Sequence, residues 1–337
     1  MAGDRHETGQ LHVVVGAGPI GRGVAGLLLE AGQRVRVVTR SGSGPEGAER
    51  VAADAAEDST LRRLSEGATA LYNCANPPYH RWPAEWPPMA RSLLGAAEAN
   101  GAVLVTVANL YGYGPAPASL GVDEYDEAHP MTEATPLAAT GVKGTIRAGM
   151  WRDALAAHEA GRIRATEVRA SDYIGPGAGS VVGDRFVPRV LKGKGVTALG
   201  RPDQPHTWSY IGDVCRMVVT AGQEPRAWGR AWHTPSNEPR TQKQVAEDFA
   251  RVAGVRRGRV TTVPSFVLHA AGVVSPLMRE LRETEYQFRR AFVMNSSAAT
   301  ETFGLEATPW EQVLDTTLGY YGRSTKHTGG HERSVLA

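Results

Sequence analysis

The residues best placed to do chemistry come early in the chain, where Gly16-Ala17-Gly18-Pro19-Ile20-Gly21 carries three glycines in a GxGxxG spacing. Each glycine answers a different demand. Gly16 permits a tight turn, Gly18 lets the backbone approach a pyrophosphate, and Gly21 allows a helix to pack closely on a strand. The apolar run at 11–15 reads as a strand and the amphipathic pattern to Glu30 reads as a helix. The N-terminus of such a helix offers unpaired N–H groups and a partial positive charge, so the pattern predicts a dinucleotide pocket and hydride transfer as the first chemistry to expect. Pro19 and Ile20 lie on the same turn, and Arg22 just beyond it.

A second apolar run, 34–38, ends in Thr39-Arg40-Ser41. A carboxylate at that point would take the adenosine ribose hydroxyls and repel a 2′-phosphate. Arg40 instead offers a guanidinium fork suited to phosphate, Thr39 and Ser41 add hydroxyls, and Arg22 is close enough to assist. This favours NADPH/NADP+ as cofactor, the alternative being that Arg40 is a solvated surface residue. Asp54 and Ala55, past the expected third strand, would border the adenine, and Cys74-Ala75-Asn76 follow the fourth strand.

The elements that must position these residues alternate. Strands are expected near 11–15, 34–38, 69–74, 103–107 and 163–170, and helices near 19–31, 87–100 and 140–160. This rhythm predicts an α/β fold, a Rossmann-type doubly wound parallel sheet over 11–174. Scattered Gly and Pro after 175, with helices near 241–254 and 311–321, predict a smaller C-terminal substrate-binding lobe over 175–322, some of whose elements return to the sheet. The polar, Gly-containing stretch 323–337 is expected to be a disordered tail.

Composition narrows the classes. The 337 residues are 42% hydrophobic with a net charge of +2, and no stretch gathers the 37 Lys and Arg into a stripe. Nucleic acid is therefore not an expected partner. No apolar run is long enough for a signal core or membrane span, so a cytoplasmic protein without membrane contact is expected. Cys74 and Cys215 have neither metal-ligand spacing nor the numbers for a disulfide framework, and no metal site is expected. The chain is read as a monomer or homodimer.

With these motifs in place, residues 11 to 321 resemble the extended branch of the short-chain dehydrogenase/reductases, the epimerase/dehydratase group. The resemblance rests on the glycine turn, Asn73-Cys74-Ala75-Asn76, Asn109-Leu110-Tyr111-Gly112, Lys143, the segment from Arg169-Ala170-Ser171-Asp172-Tyr173 to Gly177, and Trp208-Ser209-Tyr210-Ile211-Gly212-Asp213-Val214. It implies a Tyr–Lys catalytic pair in which Lys binds the nicotinamide ribose and Tyr gives a proton to the developing alkoxide. If Lys143 is that lysine, the tyrosine position is Ala139, and Val107 stands where a serine would assist, beside Thr106. Nucleotide-sugar members carry an Arg seven residues before the position of Asp213; here it is His206, a poor replacement for a bidentate fork.

The missing tyrosine leaves Thr140, Tyr113 and His206 as candidate donors, or a phenol hydroxyl on the substrate itself. The segment Asn76 to Met89 contains Tyr79, Trp82 and Trp86 among several prolines and reads as a stiff aromatic loop bordering the nicotinamide. With Tyr111, Tyr113, Tyr173, His206, Trp208 and Tyr210 it predicts an aromatic-lined cleft for a planar aromatic substrate. The alternative is that Trp82 and Trp86 fill the core beneath. The chain resembles atypical, tyrosine-lacking short-chain reductases. That resemblance implies NADPH-dependent reduction of a ketone on an aromatic polyketide, an angucyclinone, to a secondary alcohol in antibiotic biosynthesis. An epimerase, dehydratase or reductase of another small molecule, and a non-catalytic NADP-binding regulator, remain the alternatives.

Overall fold

The computed structural model describes residues 9–116, 120–262 and 282–327. Its centre is a seven-stranded parallel sheet built from β1 (Leu11–Val15), β2 (Arg34–Thr39), β3 (Glu49–Ala52), β4 (Ala68–Asn73), β5 (Val103–Asn109), β6 (Arg164–Ala170) and, from the second half of the chain, β10 (Ala231–His233). The order across the sheet is β10-β6-β5-β4-β1-β2-β3, so the direction of winding reverses between β1 and β4. The connections are α1 (Pro19–Glu30), α2 (Asp58–Leu64), α3 (Trp82–Asn100) and α4 (Val142–Glu159).

Side chains alternate between the two faces of a strand, and both faces here are apolar. Val14, Val37, Tyr72, Val105 and Val168 pack on one side with Val24 and Leu28 of α1 and with Val214, Met217 and Val218 of α6 (Ile211–Gln223). Val13, Val15, Leu71 and Leu104 pack on the other with Leu61 of α2, Leu93 of α3 and Trp151 of α4. Each such large side chain contributes about 1.5–3 kcal/mol on burial.

Helix α3 begins at Trp82, five residues earlier than expected, so the second half of the predicted loop is helical. Pro83 sits in the first turn, where no backbone donor is required, but Pro87 and Pro88 lie inside the helix,. Packing overrides propensity there. Trp82 and Trp86, four residues apart, are fully buried edge to face at 6.0 Å, and the Trp82 Nε1–H donates to the Pro77 carbonyl at 2.8 Å.

A smaller lobe follows. β7 (Asp172–Ile174) pairs with β9 (Trp208–Tyr210), and β8 (Val196–Ala198) pairs with β11 (Val260–Thr262). Around them pack α5 (Val187–Leu191), α7 (Gln242–Val252) and the C-terminal α9 (Trp310–His327), on a core that includes Phe186, Trp208, Phe249 and Leu314. The short α8 (Ser297–Phe303) packs beside β10. Between 175 and 322, α6 and β10 belong to the main sheet layers. Helix α9 runs through His327, so the expected tail does not start at 323; residues 328–337 lie outside the described residues. No described helix is long and apolar enough to cross a membrane.

Candidate active site

A cleft of about 980 Å³ opens at the carboxyl ends of the strands, where the winding reverses. This is where open α/β sheets hold ligands. Gly16 lies at its floor with φ of +99°, and a Cβ there would stand 2.8 Å from the Ala75 nitrogen and the Cys74 carbonyl oxygen. A Cβ on Gly21 would run into the Gly16 carbonyl, whereas Gly18 faces open space. Gly18, Pro19 and Ile20 line the cleft, and no side chain caps α1, so its first N–H groups stay available to an anion,. Gly21 stands behind this turn as packing.

Thr39, Arg40, Ser41, Asp54 and Ala55 line one end. Arg40 is 63% exposed with a guanidinium nitrogen 3.8 Å from Glu85, which also lines the cleft. The Thr39 hydroxyl donates to the Ser43 carbonyl at 3.1 Å, and Asp54 accepts from the Ala56 N–H at 2.9 Å. Arg22 is turned away: its Nε donates to the Ala17 carbonyl at 2.9 Å and it does not line the cleft. Cys74, Ala75 and Asn76 form the middle of the floor. These features fit a dinucleotide: an open helix N-terminus, a glycine floor that a side chain would fill, and hydroxyls and a guanidinium at the end of β2.

The other end is where expectation and structure part. Val107 lines the cleft, so the assisting-serine position presents no hydroxyl. Lys143 does not line it. It opens on an adjacent cavity of about 220 Å³ with Ala139 and Thr140, where its Nζ lies 2.8 Å from Glu283. One turn later on α4, Arg147 does line the cleft. Its guanidinium lies over the faces of Trp82 and Trp86 at 4.8 and 4.5 Å, and one terminal nitrogen donates to the Val107 carbonyl at 3.3 Å. Arg147 Nε is buried without a partner. Burial lowers the Arg147 pKa, opposed by Glu167. Sequence reasoning missed Arg147 because it stopped at the lysine; residues 143 and 147 share one helix face, which was the available signal.

Of the aromatic residues expected at the mouth, Tyr79, Tyr111 and Tyr173 line the cleft and Tyr210 does not. The Tyr79 and Tyr111 hydroxyls lie 2.9 Å apart, and burial raises the pKa of all three phenols. Tyr113 does not reach the cleft. It is fully buried, and its hydroxyl is held at 2.7 Å by both Arg169 and His233. Trp82 is core, as the alternative reading had it, and Trp208 is core of the lobe, with Nε1–H donating to the Arg240 carbonyl at 2.8 Å. Thr140 is exposed on the smaller cavity. His206 is buried behind Asp172, with Nε2 2.9 Å from Asp172 Oδ2, and it is Asp172 that lines the cleft.

The NAD dependent epimerase/dehydratase family matches residues 12–233. Among solved structures, UDP-glucose 4-epimerase from Thermotoga maritima superposes with a TM-score of 0.74 at 17% identity, covering 94% of this chain and 99% of its own. The dTDP-glucose 4,6-dehydratase from Bacillus anthracis, in complex with NAD, gives 0.72 at 17% identity over 94% and 98%. UDP-glucose 4-epimerase from Thermus thermophilus, also with NAD, gives 0.71 at 18% over 93% and 99%. At these identities the likeness is one of fold. No curated protein sequence matches the chain.

Proposed function

The chain belongs to the NAD dependent epimerase/dehydratase family, and from that premise we propose that it is an NADPH-dependent ketoreductase that reduces a ketone of a planar aromatic polyketide, an angucyclinone, to a secondary alcohol. When bound, the reduced nicotinamide supplies the hydride. The observation that carries the reading is the reacting end of the cleft. Three phenols, Tyr79, Tyr111 and Tyr173, stand there, a set of flat faces suited to fused rings. His206, in place of a diphosphate-clamping arginine, is buried away from that surface.

The chain's residues divide the work. The uncapped start of α1 and the glycine turn receive the pyrophosphate, and Arg40 with the Thr39 and Ser41 hydroxyls receives the 2′-phosphate. Arg147 supplies, at the reacting end, the fixed positive charge that the resemblance assigned to Lys143. No Tyr stands four residues before Lys143, a loss for which the chain resembles the angucyclinone ketoreductase of simocyclinone biosynthesis.

The test is turnover of NADPH with an angucyclinone ketone that bears a neighbouring phenol, counting alcohol against cofactor consumed, with NADH in parallel. One alcohol per NADPH, with NADH at least 10-fold poorer, is expected. Tight NADPH binding with no product from any ketone overturns the reading in favour of a non-catalytic nucleotide binder.

A further inference from the structure

Asp172 is the first residue of β7, and its side chain is 18% exposed at the reacting end of the cleft. His206 lies behind it, 2% exposed. The imidazole stacks on Phe288 at 4.7 Å and on Phe292 at 5.5 Å, and leans on Trp208 at 4.6 Å. The ring is therefore held in one orientation, and both of its nitrogens can be assigned from their neighbours. Nδ1 lies 3.3 Å from the backbone carbonyl of Gln287. A carbonyl only accepts, so Nδ1 carries a proton. Nε2 lies 2.9 Å from Asp172 Oδ2. A carboxylate and a bare ring nitrogen are both acceptors, so that contact needs a second proton between them. Both contacts are hydrogen bonds at once when the pair holds one proton more than a neutral histidine beside a carboxylate, and its carboxyl end faces the cleft.

We propose that Asp172, sharing this proton with His206, is the acid that protonates the oxygen formed on reduction, in place of the absent tyrosine. The proposal rests on the reductase reading. As hydride from the reduced nicotinamide forms the new C–H bond, the π pair of the carbonyl moves to oxygen. That oxygen takes the shared proton from Asp172. Asp172 is left as carboxylate and His206 neutral, with its Nδ1–H still on Gln287, and solvent returns the proton. Asp172 is the catalytic residue because it lines the cleft; His206 is a positioning residue that stores the proton. The titratable groups around Asp172 are Tyr79, Tyr111, Tyr173 and Tyr286, whose phenols burial keeps protonated. The charges nearest these phenols are Arg147, Lys143 and Glu283. Around His206 stand apolar rings and the Gln287 backbone.

Asp172→Asn keeps the shape and removes the proton. It should lower kcat about 100-fold, leave KM for NADPH within about 2-fold, and abolish the alkaline limb of the kcat profile, the limb along which the wild type loses its shared proton. His206→Phe, which keeps the stack, should move that limb rather than abolish it. A second readout needs no turnover: with ring-labelled histidine and NADP+ bound, the His206 nitrogens should both report protons in the wild type, and Nε2 should lose its proton in Asp172→Asn. Reduction by Asp172→Asn at the wild-type rate and pH profile overturns the proposal and leaves the reductase reading standing. A wild type that binds NADPH and reduces no ketone removes both the reductase reading and the acid role. A bare Nε2 in the labelled wild type overturns the shared proton whatever the activity. Masking the substrate phenol as its methyl ether decides between donors: a turned-over ether supports Asp172, and an inert ether with active Asp172→Asn assigns the proton to the substrate.

Discussion

Two of the buried histidines among the described residues, His206 and His233, sit in hydrogen-bonded networks that differ in whether the network closes. His233, at the end of β10, donates from Nδ1 to the Asn295 carbonyl at 2.7 Å and accepts at Nε2 from the Tyr113 hydroxyl at 2.7 Å. Tyr113 in turn accepts from Arg169, whose Nε is paired with Glu167 at 2.7 Å. Every donor in that chain meets an acceptor with His233 neutral, and none of its members lines the cleft. The His206–Asp172 pair closes only with an extra proton and ends on the cleft surface. A sealed network ties β6 and β10 at the sheet edge to the turn after β5, while an open one leaves a proton within reach of a ligand,. Burial alone therefore does not mark a functional histidine; the direction in which its network terminates does.

The largest expected effect breaks the sealed network. Arg169→Met strands the buried Glu167 carboxylate and removes the donor to Tyr113, which should cost about 3–5 kcal/mol of stability. Urea unfolding measures it, with Asp172→Asn as the contrast, since its partly exposed side chain should change stability by less than about 1 kcal/mol. An Arg169→Met protein as stable as the wild type would show that the network is not structural.

A pH series comes next in size. Burial lowers the His233 pKa to about 4, and burial does the same to His12, fully enclosed against Tyr72. In the unfolded chain each titrates near 6.5, so between about pH 6.5 and 4 the unfolded state binds more protons and stability rises with pH. The stability is complete above 6.5 and lost as pH falls towards 4, on the order of 3 kcal/mol per histidine. Unfolding free energies from pH 7.5 to 5 should fall with that sign, and His233→Gln should reduce the slope by about half. A flat wild-type curve over this range would overturn the assignment of neutral histidines.

The same contrast explains what the sequence disclosed. At the glycine-turn end, all the residues named from the sequence except Gly21, Arg22 and Lys143 line the cleft. Gly16, Thr39 to Ser41, Asp54 and Cys74 to Asn76 sit where strands end, and strand ends are set by short-range pattern and glycine geometry. The reacting end depends on which way longer-range packing turns each ring. Trp82 and Trp208 point into cores, Tyr113 into the sealed network, and of the expected aromatics Tyr79, Tyr111 and Tyr173 reach the cleft. No periodicity in 76–89 announces that helix α3 starts at Trp82, because three prolines argue locally against it. Asp172 stands inside a motif of the sequence, three residues past Arg169, and Arg147 stands one turn past Lys143. Their roles appear only once α4 and β7 are brought to the same cleft.

Tyr113→Phe sharpens the comparison with the smallest change, one hydroxyl. Burial raises the Tyr113 pKa to about 12 against the opposing pull of Arg169, so the phenol stays protonated at neutral pH. A phenol is the proton donor that chemistry would choose for this family, which is why Tyr113 stood among the candidates to replace the residue missing at 139. In the structure its proton is committed to His233 Nε2. Removing the hydroxyl leaves that nitrogen and one Arg169 N–H unpaired in the core, a cost of about 1–3 kcal/mol in unfolding free energy. The catalytic constant per folded molecule should stay within about 2-fold of wild type, with the alkaline limb of the pH profile unmoved. A fall of 100-fold in kcat without loss of stability would mean that the sealed network opens during the reaction, and that Tyr113 rather than Asp172 delivers the proton.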